Sequence, residues 1–168
     1  LRREPQPITI LALGPLTNIA QAIERDPAIA AKIKRLVIMG GQVHVPGNST
    51  AAAEFNFWFD PEAADRVLRH AGIRDKVLVP LDVCNHAIVT KSHFDRLTAR
   101  RTPITSLYRQ TFGLDYPGFL KNPSAKTYFW DDLAAAFLLD ETLFTSGSSA
   151  HLAVETTPGL NYGAVKIL

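Results

Sequence analysis

Ile8-Thr9-Ile10-Leu11-Ala12-Leu13-Gly14-Pro15 is the stretch that decides the fold. Six apolar or β-branched residues in a row read as a strand buried on both faces. Gly14-Pro15 stops it, and Leu16, Ile19, Ala20 and Ile23 then recur at i, i+3, i+4 and i+7, the spacing of one helix face. The same grammar continues outward. Asp26-Pro27 opens a short helix, with Asp as cap and Pro at the first helical position. Leu36 to Met39 is a second buried strand, closed by Gly40-Gly41. Asp60-Pro61-Glu62 starts another helix, whose stripe of Ala63, Ala64, Val67 and Leu68 runs to the Gly72 stop. Val77 to Val83 reads as a third strand, broken by Pro80. Alternation of strand and helix predicts an α/β fold, an open, largely parallel sheet with helices on both faces.

The second half is less regular. Ser92 to about Tyr116 is helical but patchy, and Tyr116 to Tyr128, with Pro117, Gly118 and Pro123, reads as a loop. Asp131 to Leu139 is a compact apolar helix, followed by strands at His151 to Glu155 and Ala164 to Leu168. No repeat, low-complexity tract or linker divides the chain, so one domain over residues 1–168 is expected.

Composition excludes several classes. The 168 residues are 46% hydrophobic and 20% charged, which suits a globular chain with a sizeable core. Net charge is +2, and the basic residues (Arg2/Arg3, Lys32/Lys34/Arg35, Arg100/Arg101) are scattered, so no nucleic-acid surface is expected. The apolar run Leu133 to Leu139 is too short to span a bilayer, and no membrane association is expected. The single cysteine, Cys84, cannot form an intrachain disulfide. That suits a reducing compartment, and a cytoplasmic location is the expectation.

In open parallel sheets the ligand lies beyond the carboxyl ends of the strands. Leu13-Gly14 and Gly40 to Asn56 sit at two such ends. The segment Gly47-Asn48-Ser49-Thr50-Ala51-Ala52-Ala53-Glu54-Phe55-Asn56 gathers Asn48, Glu54 and Asn56 around small residues. Carboxylate and carboxamide groups in that density suit a polyhydroxylated ligand such as a sugar. A turn with an incidental glutamate is the plainer alternative. In Tyr128-Phe129-Trp130-Asp131-Asp132-Leu133, either aspartate reads as a helix cap, or one as an oxygen ligand for calcium or magnesium. Trp130 reads as core, or as an indole face offered to a planar ligand. Trp58, inside Phe57-Trp58-Phe59, is expected to be structural. The five histidines lack metal-type spacing, and only His44 is kept as a neighbour of the site. No nucleophile elbow or phosphate-binding loop is present. Cys84 is expected to be an inert buried thiol.

Leu11 to Ala20, Val37-Ile38-Met39-Gly40-Gly41, Asn48 to Asn56 with Asp60-Pro61-Glu62-Ala63-Ala64, and Trp130-Asp131 together resemble the inosine-uridine-preferring nucleoside hydrolases. The motifs stand in the family's order over nearly the whole chain. The resemblance implies a Rossmann-like fold and an enzyme that hydrolyses the N-glycosidic bond of ribonucleosides to ribose and free base. It implies a calcium ion (Ca2+) that holds the ribose hydroxyls and a nucleophilic water. The Leu13 carbonyl and the Asp131 carboxylate carry over as calcium ligands, Asp131 also as a catalytic residue. A threonine is commoner in the family at position 13, but the ligand is a main-chain oxygen. Asn48, Glu54 and Asn56 carry over as ribose binders, and Phe55 as a wall of the pocket. Trp130 stands where many members have a proton-donating histidine. It resembles the purine-preferring branch, in which tryptophan stacks on the base.

The family's aspartate-rich amino-terminal motif has no counterpart here, and Leu1 lines up with the family's middle. The expectation is therefore an incomplete, central-to-carboxyl-terminal piece of such a hydrolase. A nucleoside- or sugar-binding module without catalysis is the alternative. The expected partner is a small-molecule nucleoside, and a homo-oligomer is left open.

Overall fold

The computed structural model describes residues 1, 3–115, 117–119, 121–122 and 124–168. The readings above that fall on Arg2, Tyr116 and Pro123 lie outside the described residues. The chain divides into two compact units: Leu1–Cys84 with Trp130–Leu168, and Asn85–Phe129.

In the first unit, β1 (Ile8–Ala12), β2 (Ile33–Met39) and β3 (Lys76–Val79) form a parallel sheet in the order β1-β2-β3. β2 is central, and its alternation shows why both faces must be covered. Leu36 and Ile38 point into one apolar cluster, with Leu16, Ala20 and Ile23, Phe57, and Ala63, Ala64 and Val67. Val37 and Met39 point into another, with Val79, Leu81, Cys84, Ala134 and the flanking Trp130, Leu133 and Phe137. Each fully buried aliphatic side chain of this kind contributes about 1.5–3 kcal/mol relative to exposure. The helices that close the two faces are α1 (Thr17–Arg25) and α3 (Pro61–Arg69) on one side and α7 (Asp131–Leu139) on the other. The parallel sheet with helices on both faces is thus as the alternation predicted.

Three local expectations are corrected. The run at Ile8 is not buried on both faces, because β1 is an edge strand of this sheet and Thr9 is exposed. The third strand ends at Val79. Pro80 instead opens a helical turn, α4 (Leu81–Cys84), its carbonyl accepting from the N–H groups of Val83 and Cys84. The two late strands are shorter than expected, β6 (Leu152–Val154) and β7 (Val165–Ile167), and form an antiparallel pair.

The second unit contains β4 (Ile88–Thr90), α5 (Lys91–Thr98), α6 (Pro103–Asp115) and β5 (Lys126–Tyr128). β4 and β5 pair antiparallel, Val89 opposite Thr127. Neither strand was legible in sequence, and β5 lies in the stretch read as loop. Phe94, Phe112 and Phe119 pack with Val89 as this unit's own core.

Asp60 couples two helices of the first unit. One oxygen accepts from the Ala63 N–H at 3.0 Å, capping α3, and the other accepts from the Thr17 hydroxyl at the start of α1. Asp60→Ala is expected to cost about 2 kcal/mol, a cap plus a hydrogen bond to a charged acceptor. Chemical denaturation would read this as a lower midpoint at unchanged slope. An unmoved midpoint would refute the cap's contribution.

Candidate functional site

Parallel pairing brings three strand ends to one edge. Ala12 lies opposite Ile38 and Met39 opposite Val79, so Leu13, Gly40 and Pro80 leave the sheet at the same end. Gly41, at φ +71, begins a loop that runs without regular structure to Glu54. Its glycine is required twice over, since a side chain there would also meet the Phe57 ring at 3.0 Å.

Side chains rather than ladders hold this loop. Both Asp82 oxygens accept backbone N–H groups, from Val43 and His44, each at 2.7 Å. Gln42 is buried and uses both ends of its carboxamide. Its oxygen accepts from the Glu54 N–H at 3.0 Å, and its nitrogen donates to the Ala52 carbonyl. Turn bonds from Gly47 to Ala51 and from Ser49 to Ala53, both 3.1 Å, fold the tip. A Cβ at Gly47 would overlap the Ala53 carbonyl.

Glu54 then caps α2 (Phe55–Phe59), with a carboxylate that does more than a cap. Oε1 accepts from the Asn56 N–H at 2.9 Å. Oε2 accepts from Phe57 at 3.1 Å and, thirteen residues back, from Gly41 at 2.8 Å. The side chain is 2% exposed. Burial pushes its pKa up, the three N–H bonds oppose that, and the Asp131 carboxylate adds to the rise. Asn56, 7% exposed, donates from Nδ2 to the Met39 carbonyl at 3.1 Å, at the end of β2. The Asn48 carboxamide oxygen accepts from the Phe55 N–H at 2.9 Å, leaving the Phe55 ring 49% exposed.

Asp131 is the first residue of α7. The expectation that Asp131 or Asp132 caps this helix is corrected, for Trp130 is the N-cap residue and no side chain makes a capping bond. Both carboxylates therefore stand in the first turn, where the helix dipole favours negative charge. Burial raises the Asp131 pKa, and Asp132 raises it further. Among the described residues no Lys, Arg or His is ion-paired with Glu54, Asp82, Asp131 or Asp132. Trp130 is half-buried against the Met39 cluster. Leu13 is 39% exposed where β1 ends.

Asn56 is tied to Met39 at the end of β2, and Asp131 lies near enough to Glu54 for its charge to raise the Glu54 pKa. Asn48 and Phe55 sit on the same loop and helix, and Leu13 at the same sheet edge. Among the described residues no three His, Cys, Asp or Glu side chains cluster so as to hold a metal ion. Cys84 is fully buried, and burial, with Glu54 and Asp131 adding to it, pushes its thiol up to about 12. A thiol so placed is no nucleophile. His44 is exposed, and its tie to the site is its backbone N–H on Asp82. Trp58 departs from expectation. It is 41% exposed while Phe57 carries the packing, because five residues of helix can bury only one side. Gln42 and Asp82 were not singled out in sequence, since their partners follow from tertiary placement. An aspartate two residues after Pro80 was the one available hint of a turn.

Comparison with known proteins agrees with this architecture. The model of the inosine-uridine preferring nucleoside hydrolase family matches residues 1–167. The chain belongs to that family. A pyrimidine-specific ribonucleoside hydrolase, RihA, of Salmonella newport (strain SL254) is 38% identical over 153 residues, covering 87% of this chain and 47% of that protein. Among solved structures, an inosine-guanosine nucleoside hydrolase superposes with a TM-score of 0.84 at 28% identity, over 95% of this chain and 49% of that one. A purine-preferring ribonucleoside hydrolase from Gardnerella vaginalis gives 0.73 at 25% identity, over 98% and 51%. The chain spans about half the length of the relatives it matches. Among the described residues no helix is long and apolar enough to cross a membrane.

Proposed function

We propose that this protein hydrolyses the N-glycosidic bond of ribonucleosides, with Asn48, Glu54 and Asn56 on the ribose, Phe55 beside it and Asp131 at the reacting centre. The observation that carries the reading is the concentration of carboxylates at the carboxyl edge of the sheet, with no Lys, Arg or His among the described residues ion-paired to them. Repulsion from the Asp131 carboxylate adds to the rise in the Glu54 pKa. A ligand that brings positive charge relieves that repulsion.

Breaking a C–N glycosidic bond develops positive charge on the sugar ring, as in O-glycoside hydrolysis. A carboxylate already fixed by three backbone N–H groups meets that charge without reorganising. What supports Glu54 for this part is that its carboxylate is held by the Gly41, Asn56 and Phe57 N–H groups. The ion proposed at Asp131 and the Leu13 carbonyl is calcium. The donors fit it in kind, as hard oxygens, but one carboxylate and one carbonyl fall short of the roughly six to eight oxygens calcium takes. When bound, such an ion supplies a water of lowered pKa.

For the base we propose a purine, held against Trp130. The position of Trp130 directly before Asp131 supports this, while relatives bear names of both purine and pyrimidine kinds. The test is ribose release by the full-length protein from inosine, adenosine and uridine, with and without chelator. Chelator-sensitive release is expected. Binding of nucleoside without release would replace the hydrolase by a recognition module, the reading favoured by the sparse metal donors. Trp130→Ala should reduce kcat/KM for inosine about three- to tenfold more than for uridine, the size of an aromatic stacking contact. Equal losses would remove the purine assignment.

A further inference from the structure

We propose that Gln42 is a positioning residue for sugar recognition, one that sets the direction in which Glu54 and its neighbours on α2 face the ribose. The inference rests on the function proposed above and concerns a residue that touches no substrate.

The geometry is a reciprocal stitch. The Gly41 N–H donates to the Glu54 carboxylate at 2.8 Å, and the Glu54 N–H donates to the Gln42 side-chain oxygen at 3.0 Å. Neighbouring residues at the exit of β2 thus hold both the backbone and the side chain of Glu54. The other end of the Gln42 carboxamide donates to the Ala52 carbonyl, two residues before Glu54. One side chain therefore closes a loop of about ten residues just where it enters the helix. A carboxamide presents an acceptor and a donor at opposite corners of one planar group. Its burial makes the choice consequential, because a polar group left unmatched there has no water to turn to. Loss of the Gln42 side chain leaves Glu54 its bonds to α2 and to Gly41 but frees its backbone N–H and the Ala52 carbonyl, so the entry to that helix can shift about the remaining Gly41 bond.

The experiment measures kcat/KM of the full-length protein for inosine and for its 2′-, 3′- and 5′-deoxy analogues, before and after Gln42→Leu. A positioning role predicts that discrimination against at least one deoxy analogue falls about tenfold, the worth of one hydrogen bond to a charged group. A merely structural role lowers all four activities together. All three ratios unchanged in an active variant would overturn the proposal and leave the hydrolase reading intact. A parent protein that releases ribose from none of the four overturns both. Should Gln42→Leu fail to fold, Gln42→Glu carries the test by the same ratios. It keeps an oxygen for the Glu54 N–H and sets a second acceptor against the Ala52 carbonyl.

Discussion

Asp131→Ala in the full-length protein is expected to lower kcat/KM for nucleoside hydrolysis by roughly a thousandfold, the several kcal/mol a metal-binding or charge-stabilising group supplies. The same substitution should leave the melting temperature unchanged or raise it. Asp131 makes no capping bond on α7, and alanine is the better helix former. Burial and Asp132 raise the Asp131 pKa, and the Asp131 charge adds to the rise at Glu54, so folding disfavours the ionised carboxylate despite the helix dipole. A residue shown both to cost stability and to matter for turnover would be one kept for function. The check pairs ribose release, with and without chelator, with a thermal melt. Retained activity with an unchanged calcium requirement would refute the metal role. A large drop in melting temperature would instead make Asp131 a structural residue.

How far the chain could be read from sequence depends on how local each cause is. The alternation in β2 was legible because four consecutive residues divide between two covered faces. The cap at Asp60 and the span of α7 were legible for the same reason. The third strand was overextended because an apolar run through Pro80 has the same composition whether it stays extended or turns into α4. β4 and β5 were missed because three-residue strands, paired across some forty positions, leave no period to detect. At the candidate site, Asn48, Glu54, Asn56 and Asp131 were singled out in sequence by residue type and spacing alone. What each one does was not legible. Glu54 read as a sugar-gripping carboxylate, and its link to Gly41 depends on a loop whose path is set by Gln42 and Asp82.

That link makes Glu54 the residue at which stability and chemistry are hardest to separate, and two substitutions do so. Glu54→Ala removes the acceptor of three backbone N–H groups, on Gly41, Asn56 and Phe57. Leaving buried donors unmatched costs about 1–3 kcal/mol apiece, so a loss of roughly 3–5 kcal/mol is expected, enough to unfold a marginal domain. Glu54→Gln is gentler and more informative. Its oxygen, placed where Oε2 stands, keeps the bonds from Gly41 and Phe57. Its amide nitrogen then faces the Asn56 N–H, donor against donor. One bond of three is lost, and about 1–2 kcal/mol of stability with it. The negative charge is lost entirely. If that charge steadies the cation developing on the ribose, kcat should fall about a hundredfold in a protein that is still folded. Denaturant titration and ribose release on the same preparation distinguish the two effects. A Glu54→Gln protein that loses the expected stability and keeps its kcat would make the carboxylate a scaffold for α2, with no part in the reaction.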